Sequence, residues 1–206
     1  MLKADSAVTA VLHDTGTPVL LRNYMPRQDQ HRDPTIVQAA RATSAAPLFF
    51  KPLKAVFQGL EEEYCDAGLR YNNPISLLMD DAAELWQGRQ FGCILSIATG
   101  YPKIVGAGPS LVGLLRKTID IATDAEKIAE DIRKGWDRYS RQLSAVYFRF
   151  NVEQGLEDVQ LDEYRKFGRV SAMTLHYLSK SKVRKDVDRC AECIKRPTAQ
   201  SQGTLL

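Results

Sequence analysis

The sequence predicts an α/β fold, and three observations carry that expectation. Short strand-like runs alternate with helix-like segments through the first half of the chain. Gly92-Cys93-Ile94-Leu95-Ser96-Ile97-Ala98 is a nearly continuous apolar run, which reads as a buried strand of a parallel sheet. The composition, 44% hydrophobic and 26% charged, is that of a globular protein and excludes a disordered chain, a collagen and a coiled coil.

Taken in order, Ala7–Leu12 and Pro18–Tyr24 read as two strands, with a hairpin turn at Asp14-Thr15-Gly16. Gln28–Pro34 is polar, holds a proline and reads as a loop. Thr35–Ala45 is rich in alanine and predicts a helix that Pro47 ends. Ala55–Tyr64 reads as a short hairpin turning at Gly59. Tyr64–Leu69 is a short strand running into a glycine-containing loop. Asn73-Pro74 is a favoured helix start, with asparagine as N-cap and proline at the first helical position. The helix would run from Ile75 to Trp86 with Leu77, Leu78, Ala82 and Leu85 on one face.

Beyond the apolar strand, Pro102–Ser110 reads as a loop and Leu111–Trp136 as helix in one or two pieces. Ala145–Val152 reads as a strand, Leu161–Leu178 as an amphipathic helix opened by Asp162, and Val183–Ile194 as a further helix. Arg196–Leu206 reads as a disordered tail. At about 150 residues per domain, 206 residues suggest one domain rather than two. Its parts are an α/β portion over 1–110, a mainly helical portion over 111–195 packed on it, and the tail 196–206.

The net charge is +3, too mild to argue for a nucleic-acid partner. No apolar run approaches the roughly 18 residues of a membrane span, and no apolar stretch of signal-peptide type follows Lys3. Four cysteines without a secretory signal imply reduced thiols and a cytoplasmic setting.

Chemistry concentrates in three blocks. They are Ala39-Ala40-Arg41-Ala42-Thr43-Ser44-Ala45-Ala46-Pro47-Leu48-Phe49-Phe50, Tyr64-Cys65-Asp66-Ala67-Gly68-Leu69-Arg70-Tyr71-Asn72-Asn73-Pro74, and Ile94-Leu95-Ser96-Ile97-Ala98-Thr99-Gly100. In this order and spacing they resemble the patatin-like phospholipases, serine acyl hydrolases with a FabD/lysophospholipase-like fold. The likeness continues through Tyr147–Val152 and Leu161–Glu163 and covers about residues 8 to 195. It implies a three-layer α/β fold with a helical C-terminal portion. It also implies a Ser–Asp dyad that cleaves phospholipid or lysophospholipid esters through an acyl-serine, with neither metal nor cofactor. By motif match Asp66 is the base, Ala67 and Gly68 shape its loop, and Asn73 and Pro74 start the supporting helix. A carboxylate at a strand end can serve as base if burial raises its pKa. Taken alone, Asp66 reads as an ordinary turn aspartate; Asn72-Asn73-Pro74 at the right distance favours the dyad.

The chain departs from the pattern where the nucleophile belongs. The family serine sits in a Gly-x-Ser-x-Gly elbow well before the aspartate, and a glycine-rich loop supplies the oxyanion donors. Before Asp66 there are only Ser6, without flanking glycines, and Ser44, in the alanine-rich block; before Gly59 the only glycine is Gly16. Gly108-Pro109-Ser110-Leu111-Val112 has valine where the second glycine belongs, and Ser110 reads as a helix N-cap. The family's Asp-Gly-Gly is Asp66-Ala67-Gly68 here, with Ala67 strained if that position needs a positive φ. The family's Gly-Thr-Gly is Ala98-Thr99-Gly100. The expectation is an N-terminally incomplete domain, inactive alone because the hydroxyl and its base must lie within hydrogen-bond reach. The alternatives are a non-catalytic lipid- or protein-binding module and a truncated product of a longer enzyme.

Weaker signals have blander readings. Cys190-Ala191-Glu192-Cys193 has metal or redox spacing but no second pair, and reads as structural. His13, His31 and His176 form no ligand set. Ala42–Pro47 reads as small residues that let a helix end pack closely against the active-site loop. Basic residues over 133–149 and 165–196 read as solvated helix faces, with attraction to a membrane surface as the functional option.

Overall fold

A computed structural model describes residues 5–25, 32–47, 49–101, 125–132, 134, 147–159 and 163–195. The readings of 102–110 as a loop, of Ser110 as a cap, of 196–206 as a tail and of Asp162 as a helix start lie outside these residues, as does His31. The described residues form two compact units. One holds those up to Gly88 with 125–126, and the other holds Arg89–Tyr101 and those from Lys127 onward.

The first unit is built on a four-stranded antiparallel sheet. Its strands are β1 (Ala7–Leu12), β2 (Pro18–Arg22), β3 (Leu53–Phe57) and β4 (Leu60–Asp66), in spatial order β2-β1-β4-β3. Both hairpins expected from the sequence are present. Gly16 takes φ +67° in the β1–β2 connection, and its N–H donates to the Leu12 carbonyl at 2.7 Å. Gln58 (φ 51°) and Gly59 (φ 82°) form the two-residue β3–β4 turn; two left-handed residues match the twist of the paired strands.

Alternation decides what this sheet buries. Val19 and Leu21 on β2, Ala10 on β1, Ala55 and Phe57 on β3 and Tyr64 on β4 point into one core, while Val56 and Leu60 face outward. The Phe57 and Tyr64 rings meet edge to face with centroids 5.9 Å apart. Helix α1 (Ile36–Thr43) packs on β1, β3 and β4 and adds Ala42 to the core. Thr35 and Gln38 start it with a reciprocal capping box, and it ends at Thr43, four residues before Pro47.

Helix α2 (Ile75–Leu85) forms as expected but with a different start and face. Asn73 was expected as N-cap; Pro74 holds that position without a side-chain cap. Asn73 is instead buried, and its Nδ2 donates to the Ala125 carbonyl at 3.0 Å. The buried residues of α2 are Ile75, Asp81 and Ala82, and Leu78 is exposed. The reason is the acid. Asp81 takes Arg22 Nη2 at 2.7 Å and Nε at 2.9 Å and also accepts the Tyr24 hydroxyl, which turns that side of α2 towards β2. A second polar link ties Arg32 to Glu62 through two bonds of 2.7 and 2.8 Å, with the Tyr64 hydroxyl donating to the same carboxylate.

In the second unit, β5 (Ile94–Ile97) pairs in parallel with β6 (Tyr147–Phe150). The parallel expectation for β5 holds, but its full burial does not. Ile94 and Ser96 are buried while Leu95 and Ile97 are exposed, the one-sided pattern of a strand in a two-stranded ribbon. Helix α3 (Phe167–Ser179) begins later than the expected Leu161, after one 3-10 turn over Tyr164–Lys166. Helix α4 (Ser181–Lys195) covers the expected Val183–Ile194. Val152, Leu156, Tyr177 and Val183 form one cluster, and Phe148, Cys190 and Cys193 another. Residues 125–132 are helical, within the stretch read as helix.

Candidate functional site

β4 delivers Asp66. β3 pairs with the strand only as far as Tyr64, and its C-terminal end pairs with β1, with Asp66 opposite Ala10 and Cys65 opposite Val11. The Asp66 N–H donates to the Ala45 carbonyl at 3.0 Å, so the end of the alanine-rich block abuts the strand end. Ala42 and Ala45 are fully buried there, and Thr43 Oγ1 donates to the Thr9 carbonyl at 2.8 Å. This is the close packing the small residues of Ala42–Pro47 suggested.

Beyond Asp66 the chain makes a single 3-10 turn over Ala67–Leu69, which Asp66 itself caps: Oδ1 accepts the Gly68 N–H at 2.7 Å. Ala67 is buried and lies in this turn, so the feared strain is absent; among the described residues only Gln58 combines a side chain with a positive φ. Gly68 matters through space. A Cβ there would stand 3.1 Å from Asp66 Oδ1, tighter than ordinary packing.

Asp66 opens onto a cleft of about 300 Å³. Val11, Leu12, Pro47 and Ala67 give it apolar walls, and the β1–β2 connection with His13 and Arg70 forms its polar side. His13 is half-exposed, with Nδ1 3.2 Å from Asp14 Oδ1. Cys65 also lines the cleft; burial, helped by the charges of Glu63 and Asp66, pushes its thiol up, so it stays protonated and is a poor nucleophile near neutral pH. Thr15 carries the one hydroxyl among the lining residues, and that hydroxyl donates to Thr17 Oγ1 at 2.8 Å. No described hydroxyl bonds the Asp66 carboxylate.

The sequence-predicted site residues therefore separate in role. Asp66, Ala67 and Gly68 meet at the cleft, Asn73 is buried beside residue 125, and Pro74 heads α2. The Ala98-Thr99-Gly100 block belongs to the second unit, where Gly100 takes φ +104° and its N–H donates to Asn151 Oδ1 at 2.7 Å. His13 was read only as one of three histidines that form no ligand set, and Arg70 was given no role. The pairing of β1 with β4 brings His13 to the cleft, whereas the 3-10 turn after Asp66 carries Arg70, four residues on. Among the described residues no three His, Cys, Asp or Glu side chains group as a metal site.

A family model described as patatin-like phospholipase matches residues 8–79, from β1 into α2 and including Asp66. The chain is patatin-like. Calcium-independent phospholipase A2-gamma of Oryctolagus cuniculus is 31% identical over 172 residues, 78% of this chain and 20% of the relative. The protein of the same name from Homo sapiens is 31% identical over 150 residues, 70% of this chain and 18% of its own length. That of Mus musculus is 30% identical over 172 residues. The patatin-like chain thus spans about a fifth of the length of these curated relatives.

Proposed function

We propose that this chain contributes the aspartate half of a Ser–Asp site that hydrolyses phospholipid or lysophospholipid esters, and that its 206 residues do not turn over an ester unaided. The observation that carries this reading is the Asp66 carboxylate, fixed by the Gly68 N–H at the end of β4 and facing a cleft where no described hydroxyl meets it. In the proposed reaction a serine from outside this sequence gives its proton to Asp66 as its oxygen attacks the ester carbonyl. The ester C–O bond then breaks, and Asp66 passes that proton to the departing alcohol. The acyl-serine is hydrolysed by a water that Asp66 deprotonates, the proton returning to the serine oxygen as the fatty acid leaves. Backbone N–H groups, also from outside, would take the oxyanion charge. The three-layer fold implied by the resemblance belongs to the same proposal. Docking to lipid would be peripheral and cytoplasmic, supported by the basic stretch Lys182–Lys185 on α4; among the described residues no helix is long and apolar enough to cross a membrane.

The test has two arms. The pure chain is treated with a fluorophosphonate serine probe and a fluorogenic phospholipid, and neither labelling nor turnover is expected. The chain is then completed with a segment carrying a Gly-x-Ser-x-Gly elbow and a glycine-rich loop. Turnover is expected to appear and to fall at least 10³-fold in Asp66→Asn, in line with removing the base of an activated nucleophile. Serine-dependent turnover by the chain alone, or an Asp66→Asn variant as active as its parent, would overturn the reading.

A further inference from the structure

The cleft holds a second charged group that the hydrolytic reading does not use. Arg70 lines the same cleft as Asp66, yet the two form no ion pair, and among the described residues the guanidinium has no carboxylate or carbonyl partner. The guanidinium lies over Gly16 in the β1–β2 connection, where a Cβ would come within 2.8 Å of Nη1 and 3.0 Å of Cζ. Gly16 thus does two things. Its φ of +67° makes the turn, and its missing side chain leaves the seat for Arg70. The nearby carboxylates have other contacts. Asp66 Oδ1 accepts the Gly68 N–H, and Asp14 Oδ1 lies against His13 Nδ1. An exposed planar guanidinium at the polar side of a cleft with apolar walls, with no carboxylate or carbonyl on its donors among the described residues, is suited to a tetrahedral oxyanion on an apolar ligand.

We propose that Arg70 binds the phosphate group of a glycerophospholipid, with the acyl portion along the apolar wall of Val11, Leu12 and Pro47. This rests on the lipid-hydrolase reading for the ligand's identity but not for the anion site itself. Asp66 shares the cleft, so it repels the phosphate while Arg70 attracts it, and the two substitutions move affinity in opposite directions.

The experiment titrates the ¹⁵N-labelled chain with monomeric short-chain lysophosphatidate, with the matching uncharged monoacylglycerol, and with inorganic phosphate, reading the Gly16 and Gly68 amide shifts. Lysophosphatidate is expected to bind saturably and monoacylglycerol more weakly, with inorganic phosphate weakest because it gains nothing from the apolar wall. Arg70→Gln is expected to lose about tenfold in lysophosphatidate affinity, the scale of a lost charge-assisted bond, and to leave monoacylglycerol unchanged. Arg70→Lys recovers part of the loss. Asp66→Asn tightens lysophosphatidate, a gain that misfolding cannot mimic.

Equal lysophosphatidate affinity in wild type and Arg70→Gln overturns the proposal, as does failure of lysophosphatidate to shift either amide. Inorganic phosphate binding as tightly as lysophosphatidate overturns the lipid assignment. The two readings fail separately. Asp66-dependent turnover in the completed protein with no effect of Arg70→Gln removes the phosphate site alone. An Arg70-dependent phosphate site with no Asp66-dependent turnover removes the hydrolase alone.

Discussion

Replacing Asp81 by alanine is expected to be the most destabilising single change in the first unit. The Arg22 and Asp81 side chains are 9% and 5% exposed, so water compensates neither charge. Asp81→Ala removes two bonds from Arg22, at 2.7 and 2.9 Å, and the one from Tyr24, and takes the Asp81 carboxylate from a buried guanidinium that keeps its 3.2 Å bond to the Leu20 carbonyl. Removing one partner of a buried pair costs about 3–5 kcal/mol, against a total stability of roughly 5–15 kcal/mol for a domain. At about 4–8 °C per kcal/mol for a unit of 60–100 residues, the melting midpoint should fall by 12 °C or more. The assay is urea and thermal unfolding of the full chain followed by circular dichroism. The double variant Arg22→Met with Asp81→Leu serves as control: it removes both charges and fills the space, and should stay within about 1.5 kcal/mol of the parent. A cost below 1 kcal/mol for Asp81→Ala, or a double variant as unstable as the single, would refute the argument that losing the buried carboxylate from Arg22 sets the penalty. The pair also acts on the site, because α2 begins directly after the Asp66 loop and Arg22–Asp81 anchors that helix to the sheet.

Other consequences are open to measurement. Arg32 holds the Glu62 carboxyl below its ordinary value of 4.5, chiefly through its hydrogen bonds, so the pair's stabilisation is present above that pH. It is lost as pH falls through the lower folded value, and Arg32→Gln should flatten this acid limb of the stability profile. At the alkaline end, burial and the Asp81 contact push the Tyr24 hydroxyl up from 10 to about 12. The unfolded chain loses that proton first, so stability should decline from pH 10 towards 12, and Tyr24→Phe should remove this contribution to the decline. Thr35→Ala removes the α1 capping box and should cost about 1 kcal/mol in urea unfolding. Burial, then the Cys190 thiol 3.8 Å away, push Cys93 up to about 12. Its alkylation at pH 8 should be slow in the folded chain and fast in urea, and equal rates would contradict that placement.

The chain also separates what neighbours in sequence can specify from what they cannot. Hairpins at Gly16 and Gly59, the alanine-rich helix α1 and its stop before Pro47 were legible because each is a contest among residues a few positions apart. The Asp66 loop was legible because its motif is contiguous. Asn73 and Leu78 were misread for the converse reason. Asn73 satisfies the carbonyl of Ala125, 52 residues on, and Leu78 gives up the buried face because Asp81 meets Arg22, 59 residues back. The parallel character of β5 was legible in its apolar run, but its exposed Leu95 and Ile97 were not, since burial depends on what covers a strand. The CxxC pair read as structural, and both cysteines lie in an apolar cluster; Cys93, almost a hundred residues earlier, joins it only through packing.

Sequence by itself determined the α/β content, the local turns, the patatin-like motif around Asp66 and the want of a Gly-x-Ser-x-Gly serine in these residues. Tertiary structure alone decided that Asp66 looks into a cleft, that Arg70 lies over Gly16 beside it, and that Asp81 rather than Leu78 is the buried anchor of α2. The division is physical. Turns, caps and motifs are settled within a few residues of chain, whereas a cleft and a buried charge exist only when distant segments meet and exclude water.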